Sequence, residues 1–297
     1  MADGALAGAL PHGTRTRDVA GWLARARQLE ITRLDAQLLL AHALGRARTW
    51  LLAHGDAPVT DADARAVDDL LARRAAGEPL AYLVGEREFH GLALRVTPAV
   101  LIPRPDTETV VDWAVELLLP QTRPRVADLG TGSGAIALAL KQAVPAADVH
   151  ACDNSPAALA VARDNGQRLA LAVAWHLGSW WQAFADLGAK SGAFDLAVAN
   201  PPYLAADDPH LEALRYEPRA ALVPRYDEAD GLADLATLIH DAAAHLAPGG
   251  WLLLEHGFEQ AQAVRDRLRA AGFDAVQTRP DLSGRPRATG GLRPAAA

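Results

Sequence analysis

Cysteine is almost missing from this chain: Cys152 is the only one in 297 residues. A single thiol excludes an internal disulfide and any multi-cysteine zinc site. No stretch approaches the ~20 consecutive apolar residues of a membrane-spanning helix. Residues 1–13 are weakly apolar but carry no Lys or Arg, and the apolar run is only a few residues long, which does not suit a secretory leader. An excess of positive charge is missing too. Residues 1–80 hold ten Lys/Arg and ten Asp/Glu, so the whole net charge of −7 falls after residue 80. Nucleic-acid binders draw most of their affinity from basic side chains on phosphates, so DNA is a disfavoured partner. These absences predict a soluble, cytoplasmic protein with no metal centre and no membrane partner.

What is present is ample material for a core. Half of the residues are hydrophobic, and at ~100–200 residues per domain the length predicts two domains. Only the ends, residues 1–13 and 294–297, lack a periodic pattern and read as disordered. From Arg17 to about Ala76 apolar residues recur at helical spacing: Val19, Trp22, Leu23 and Ala26, then Leu34, Leu38 and Leu39, then Ala64, Val67, Leu70 and Leu71. Thr60 or Asp61 is placed to cap the third run and Gly77 to end it. A small helical bundle follows. Phe89, Leu92, Leu94, Val96, Val100 and Ile102 then predict a hairpin of two short strands, and Pro103 to Glu108 opens a helix running to about Leu119. Beyond Arg125 strands are expected at 126–129, 149–153, 171–176, 194–199 and 251–255, with two more near 273–278 and 285–292. Helices fall between most of them, one started by a Ser155 cap with Pro156 behind it. This alternation predicts an α/β fold, a mostly parallel sheet with helices on both faces and right-handed crossovers.

Three stretches carry chemistry. Gly130, Thr131, Gly132, Ser133 and Gly134 stand where the first sheet strand turns into a helix, a place where glycines let a ligand approach the backbone and where a helix offers unpaired N–H groups. Asp153 ends the second strand, from which a carboxylate can accept from both hydroxyls of a ribose. Gly130, Gly132 and Ala135 also satisfy a loose dinucleotide pattern, so at this point NAD and S-adenosylmethionine both remain open. The string Asn200-Pro201-Pro202-Tyr203 after the fourth strand decides between them. An Asn carbonyl and a neighbouring backbone carbonyl can accept two N–H bonds from one planar NH₂ group and aim its nitrogen at an electrophilic methyl. The prolines fix the backbone that supplies the acceptor, and Tyr203 offers a flat wall.

Those residues belong to a longer pattern. Tyr82-Leu83 with Gly85, Glu88-Phe89, Val100 to Glu108, Asp128 to Leu140, Asp153 to Pro156, Gly178 to Trp180, Phe194-Asp195 and Asn200 to Tyr203 all take part. So do Tyr216-Glu217-Pro218, Asp230-Gly231-Leu232, Glu255-His256-Gly257 and Asp281 to Gly284. Over nearly its whole length the sequence resembles the release-factor glutamine N5-methyltransferases, the HemK/PrmC family. The resemblance implies a helical substrate-recognition domain (1–80), a β-hairpin linker (81–104) and a seven-stranded, Rossmann-like methyltransferase domain (105–297). It implies that Gly130 to Gly134, Asp153 and Trp180 hold S-adenosylmethionine and that Asn200, which would also border the cofactor, acts with Pro201, Pro202 and Tyr203 on the glutamine of a release factor. Pro103 to Glu108 would border the cofactor pocket or cap its helix. His90 departs from the aromatic usual there, residues 223–229 look expanded, and Glu255-His256-Gly257 reads as a strand exit. The rivals are an adenine N6 methyltransferase using a similar motif, a nucleotide-binding module without catalysis, and an NAD-dependent oxidoreductase.

Overall fold

The computed structural model describes residues 18–187, 194–225 and 230–295, in two units that divide between Val84 and Gly85. The expected disorder of residues 1–13 lies outside the described residues, as do 226–229 of the expanded loop and the last two residues. No helix among the described residues is long and apolar enough to cross a membrane.

Among the described residues the first unit holds five helices: α1 (Val19–Gln28), α2 (Arg33–Leu44), α3 (Arg48–Ala53), α4 (Asp61–Ala75) and α5 (Leu80–Val84). Capping starts three of them. Asp18 accepts from the Gly21 N–H, Thr32 from Asp35 and Thr60 from Asp63, each satisfying a donor the first turn leaves unpaired. One face of each long helix supplies the core, with Val19, Trp22, Leu39, Leu40, Leu51, Val67 and Leu71 at its centre. Burying a side chain of this size contributes ~1.5–3 kcal/mol. Helices α3 and α5 were not legible in the sequence, being too short to show a period.

In the second unit β1 (Glu86–Phe89) and β2 (Leu92–Arg95) form an antiparallel hairpin. Phe89, Leu92 and Leu94 belong to the same apolar cluster as Trp113 and Leu138, which ties the hairpin to this unit's core. Residues 96–102, expected to continue a strand, leave the hairpin after the Val96 N–H, which still reaches the Gly85 carbonyl at 3.1 Å. Val100 and Ile102 are buried, but the Ile102 N–H goes to the Glu217 carboxylate at 3.0 Å. Helix α6 (Glu108–Leu118) follows a single 3₁₀ turn at Pro105–Thr107. Then come β3 (Arg125–Leu129), α7 (Ala135–Ala143), β4 (Asp148–Asp153), α8 (Pro156–Arg168), β5 (Ala174–Leu177), β6 (Phe194–Ala199), α9 (Ala233–His245), β7 (Leu246–Glu255), α10 (Ala261–Ala270), β8 (Asp274–Pro280) and β9 (Pro286–Leu292).

The seven later strands form one sheet in the order β5-β4-β3-β6-β7-β9-β8. β5 to β7 run parallel, and β9 runs antiparallel to both β7 and β8. Alternate side chains serve opposite faces, as the pleat requires. Val126, Leu196, Val198 and Leu253 pack with α6 and α7, and Ala127, Leu129, Ala197, Leu252 and Leu254 pack with α9 and α10. The chain leaves β3 toward β4 on one side and returns to β6 on the other. That reversal opens a crevice at the carboxyl ends of β3, β4 and β6, the place where open α/β sheets receive ligands.

Candidate active site

Register builds the site. Cys152, Leu129, Ala199 and Leu254 are cross-strand partners in adjacent strands, so Asp153, Gly130, Asn200 and Glu255 each stand one residue further on. With strands ~4.8 Å apart, these four make a row along the carboxyl edge of the sheet.

The glycine loop turns back through left-handed residues: Gly130, Gly132 and Gly134 have φ of 80°, 57° and 85°, a region open to glycine at no steric cost. A Cβ on Gly130 would sit 2.9 Å from the Trp180 ring, whereas one on Gly132 would meet nothing within 4 Å. The loop is anchored from below by Asp128, which is fully buried. One carboxylate oxygen accepts from the Thr131 hydroxyl at 2.6 Å and the Ala137 N–H at 3.1 Å. Burial pushes this carboxyl up to about 7 against those two hydrogen bonds. Asn165 completes the support, its amide donating to the backbone carbonyls of Ser133 and Arg95 at 3.0 Å each.

Asp153 accepts one backbone N–H on each oxygen, from Gly132 and from Ser155, both at 2.9 Å. A carboxylate has about four acceptor positions, so two remain for a diol. Burial raises this carboxyl above the usual carboxylate range, opposed by its backbone hydrogen bonds. Trp180 is half-buried and packs against the cluster that holds Leu235 and Leu238. The core tryptophan is its neighbour Trp181, 2% exposed, donating to the Leu238 carbonyl at 3.0 Å. An adenosine with an appended sulfonium fits this arrangement: a flat ring at Trp180, a carboxylate for the ribose, and a loop at Gly132 with room beside its backbone.

Asn200 leaves β6 with its amide nitrogen donating to the Thr107 hydroxyl at 3.2 Å, which turns the side-chain carbonyl away from Thr107. Pro201 is buried, and Pro202 and Tyr203 are half-buried. The Tyr203 backbone is fastened from two sides. Its carbonyl accepts from the Gln260 amide at 2.9 Å, and Gly231 lies so close that a Cβ there would fall 2.2 Å from that same oxygen. The Tyr203 hydroxyl faces the Glu255 carboxyl at 3.4 Å.

The register therefore places Gly130, Asp153 and Asn200 along one edge of the sheet with Trp180 against Gly130, while Thr131 and Ser133 are buried in the loop and the Thr131 hydroxyl turns to Asp128. The structure adds others that sequence reasoning passed over. Glu217, buried, takes the Ile102 N–H and forms an ion pair with Arg104, pinning the strand-like run before α6. Arg287 pairs with Asp106 and Asp281, both at 3.2 Å. Glu255, 1% exposed, is pushed up to about 7 by burial. All of these except Arg287 stand in the matching motif pieces, which was the available signal, but no spacing rule links positions 102 and 217 or 107 and 200. Among the described residues no group of three or more His, Cys, Asp or Glu could hold a metal ion.

Two family models match the chain: the PrmC N-terminal domain over residues 22–85 and the Methyltransferase small domain over residues 107–216. Among curated proteins, the release factor glutamine methyltransferase of Bordetella pertussis is 50% identical over 263 residues, covering 88% of this chain and 95% of the relative. That of Burkholderia pseudomallei is 50% identical over 283 residues, 93% and 96% of the two chains. The Escherichia coli protein of the same name is 44% identical over 262 residues, 88% and 92%. Solved structures agree in fold. The hMettl16 catalytic domain, in complex with MAT2A 3′UTR hairpin 6, aligns with a TM-score of 0.53 at 20% identity over 75% of this chain and 81% of that one. The Thermus thermophilus 16S rRNA N2 G1207 methyltransferase, with AdoMet and guanosine, aligns at 0.51 and 20% identity over 70% and 49%.

Proposed function

Because the chain belongs to the release factor glutamine methyltransferase family, we propose that it methylates the side-chain amide nitrogen of the glutamine in the Gly-Gly-Gln motif of peptide-chain release factors. The observation that carries the reading is Asn200. Its nitrogen is occupied by Thr107, so its carbonyl is the end available to a substrate NH₂.

S-adenosylmethionine, held by the glycine loop, Asp153 and Trp180, supplies an electrophilic methyl group. Asn200 Oδ1 and the Pro201 carbonyl accept the two N–H bonds of the glutamine amide. Tyr203 walls its plane. The amide nitrogen is a poor nucleophile because its lone pair is delocalised, so the residues act by holding it in line and by presenting acceptors to the charge that develops on it. With S-adenosylmethionine bound, its sulfonium would supply the methyl for the new N–C bond as its C–S bond breaks, and the surplus proton on the amide nitrogen would pass to solvent. The acidic balance after residue 80 supports a protein substrate over the nucleic acid that an adenine methyltransferase needs. Residues 1–80 take the role of reading the folded release factor, since every cofactor contact named here lies in the second unit.

The test is mass spectrometry of a release factor incubated with S-adenosylmethionine and either the wild-type chain or Asn200→Ala. The wild type places one methyl on the Gly-Gly-Gln glutamine, and the variant is slower by roughly 10²–10³, the usual cost of removing one preorganised acceptor. A Gln-to-Glu substrate stays unlabelled. Methylation of that Glu substrate, labelling of DNA or RNA in its place, or full activity in the variant overturns the reading.

A further inference from the structure

We propose that Gln260 is a positioning residue for the substrate motif, a clasp whose side-chain amide holds Tyr203 and Asp230 together, an inference that rests on the role just given to Asn200 through Tyr203. The chain leaves β6 through Tyr203 and returns through Asp230 to α9 and β7. The backbone carbonyls at both ends of that excursion accept from Gln260 Nε2, Tyr203 at 2.9 Å and Asp230 at 2.8 Å. A side-chain NH₂ has two hydrogens to donate. Each is spent on one end.

The neighbours fix which way this amide points. Its oxygen accepts from the Gly257 N–H at 2.8 Å. A flipped amide would set its NH₂ against that donor and its oxygen against two carbonyls, so only the nitrogen end can serve Tyr203 and Asp230. Gly257 is in turn tied to the core. The His256 ring donates through Nδ1 to the Gly257 carbonyl at 2.8 Å, which in the neutral ring leaves Nε2 to accept from the Thr289 hydroxyl at 2.7 Å. Both His256 and Thr289 are fully buried. The clasp therefore stands on an anchored base at the exit of β7, the strand beside β6.

The backbone around the clasp is built to admit it. Gly231, with φ of 68°, passes so near that a Cβ there would lie 2.2 Å from the Tyr203 oxygen and 3.1 Å from Gln260 Nε2. A side chain at that position would force the two ends out of reach of one amide. The Leu204 N–H, one residue past the motif, reaches the Leu222 carbonyl at 2.9 Å. At the other end the Asn200 nitrogen is tied to Thr107 at 3.2 Å, so both ends of the motif are held by residues outside it. A poor nucleophile makes that holding matter, because its rate depends on where the acceptors stand, and a shift of about 1 Å can cost roughly 100-fold.

Two substitutions of similar size separate a clasp from a local cap. Gln260→Glu keeps an acceptor for the Gly257 N–H but sets a carboxylate against two carbonyls, whereas Gln260→Met removes donor and acceptor together. Steady-state methylation of a release factor and calorimetric S-adenosylmethionine affinity are measured on the full-length wild type and both variants. The clasp predicts kcat lower by roughly 10-fold in Gln260→Met and roughly 100-fold in Gln260→Glu, with cofactor affinity within about twofold in each. A residue that only caps the turn at Phe258–Gln260 predicts the reverse order, since Glu still caps and Met does not. Wild-type kcat in Gln260→Met, a Gln260→Glu enzyme as fast as Gln260→Met or faster, or a kcat loss matched by an equal loss of cofactor affinity overturns the clasp and leaves the functional reading standing. Should Gln260→Glu not fold, Gln260→Met decides by the same two readouts. Absence of glutamine methylation by the wild type would overturn the functional reading, and the clasp with it.

Discussion

Replacing Asp153 by Ala isolates the cofactor half of the site. In the structure this carboxylate already holds two backbone N–H groups at 2.9 Å, from Gly132 and Ser155, and the reading gives its remaining acceptor positions to the two ribose hydroxyls. A hydrogen bond to a charged group is worth ~1.5–3 kcal/mol, so the pair sets a ceiling of about 6 kcal/mol. Burial already raises this carboxyl, which shows that the unliganded carboxylate is imperfectly solvated, and some of the ceiling offsets that cost. A net loss of ~1.5–3 kcal/mol is expected, or roughly 10- to 150-fold in affinity. Loss of the loop bonds alone would weaken binding too, so the assay must separate the two causes. Calorimetry with S-adenosylhomocysteine and with its 2′-deoxy analogue does so. The wild type should discriminate strongly between the two ligands and Asp153→Ala hardly at all. If the variant weakens both ligands equally and preserves the discrimination, the carboxylate acts through the loop and the ribose assignment is wrong.

Gly231→Ala should impair turnover without touching cofactor affinity, because its left-handed φ of 68° and a Cβ 2.2 Å from the Tyr203 carbonyl force the substrate motif to move; unchanged kcat in steady-state assays would refute this. Asp128→Asn should alter the pH dependence of stability. The folded carboxyl sits near 7, above its unfolded value, so the native state binds the extra proton, and the stabilisation present below about pH 4 is lost as pH rises through 7. Relative to the variant, the wild type should lose stability across that window at up to ~1.4 kcal/mol per pH unit, measured by urea midpoints; a constant gap at pH 5 and pH 8 would contradict it. His256, lowered to about 4 by burial, works in the opposite sense as pH falls from 6.5. Residues 85–297 alone should bind S-adenosylmethionine as the full chain does and methylate a folded release factor poorly, since the residues proposed to hold the cofactor all lie in that unit. Equal activity on the folded protein would show that residues 1–84 do not recognise it.

The central strands were legible because a parallel strand covered on both faces is apolar at nearly every position, and β6 was expected at 194–199, where it lies. Legibility failed where that condition lapses. β5 is an edge strand with half-exposed residues, and its expected start at Leu171 was three residues early. β7 begins at Leu246, through Pro248-Gly249-Gly250, which reads as a turn. It pairs nonetheless, since Phe194 meets Leu246 and Leu196 meets Trp251 across a register shift. At 96–102 alternation was present without a strand. Val100 and Ile102 are buried there as ordered coil because Glu217, distant in sequence, supplies the partner a neighbouring strand would have given.

The same distinction explains which part of the site could be read. Gly130, Asp153 and Asn200 each carry their chemistry locally, in a glycine that must bend, a carboxylate that ends a strand and an amide between a strand and two prolines. What could not be read is the set of contacts that hold the surrounding segments, because it consists of pairs far apart in the chain: Thr107 with Asn200, Ile102 with Glu217, Asp106 with Arg287. Each pair joins the turn before α6 to a different strand end or loop. That turn carries no expected reacting atom, yet through Thr107 it meets the Asn200 side-chain nitrogen and through Asp106 it meets Arg287, whose charge acts on both Glu255 and Tyr203. The run from Val100 to Glu108 therefore serves contacts beyond the helix it opens, to Asn200, Glu217 and Arg287. Thr107→Val and a change of Asp106 should depress turnover more than they lower the melting temperature. A purely capping role would invert that ranking.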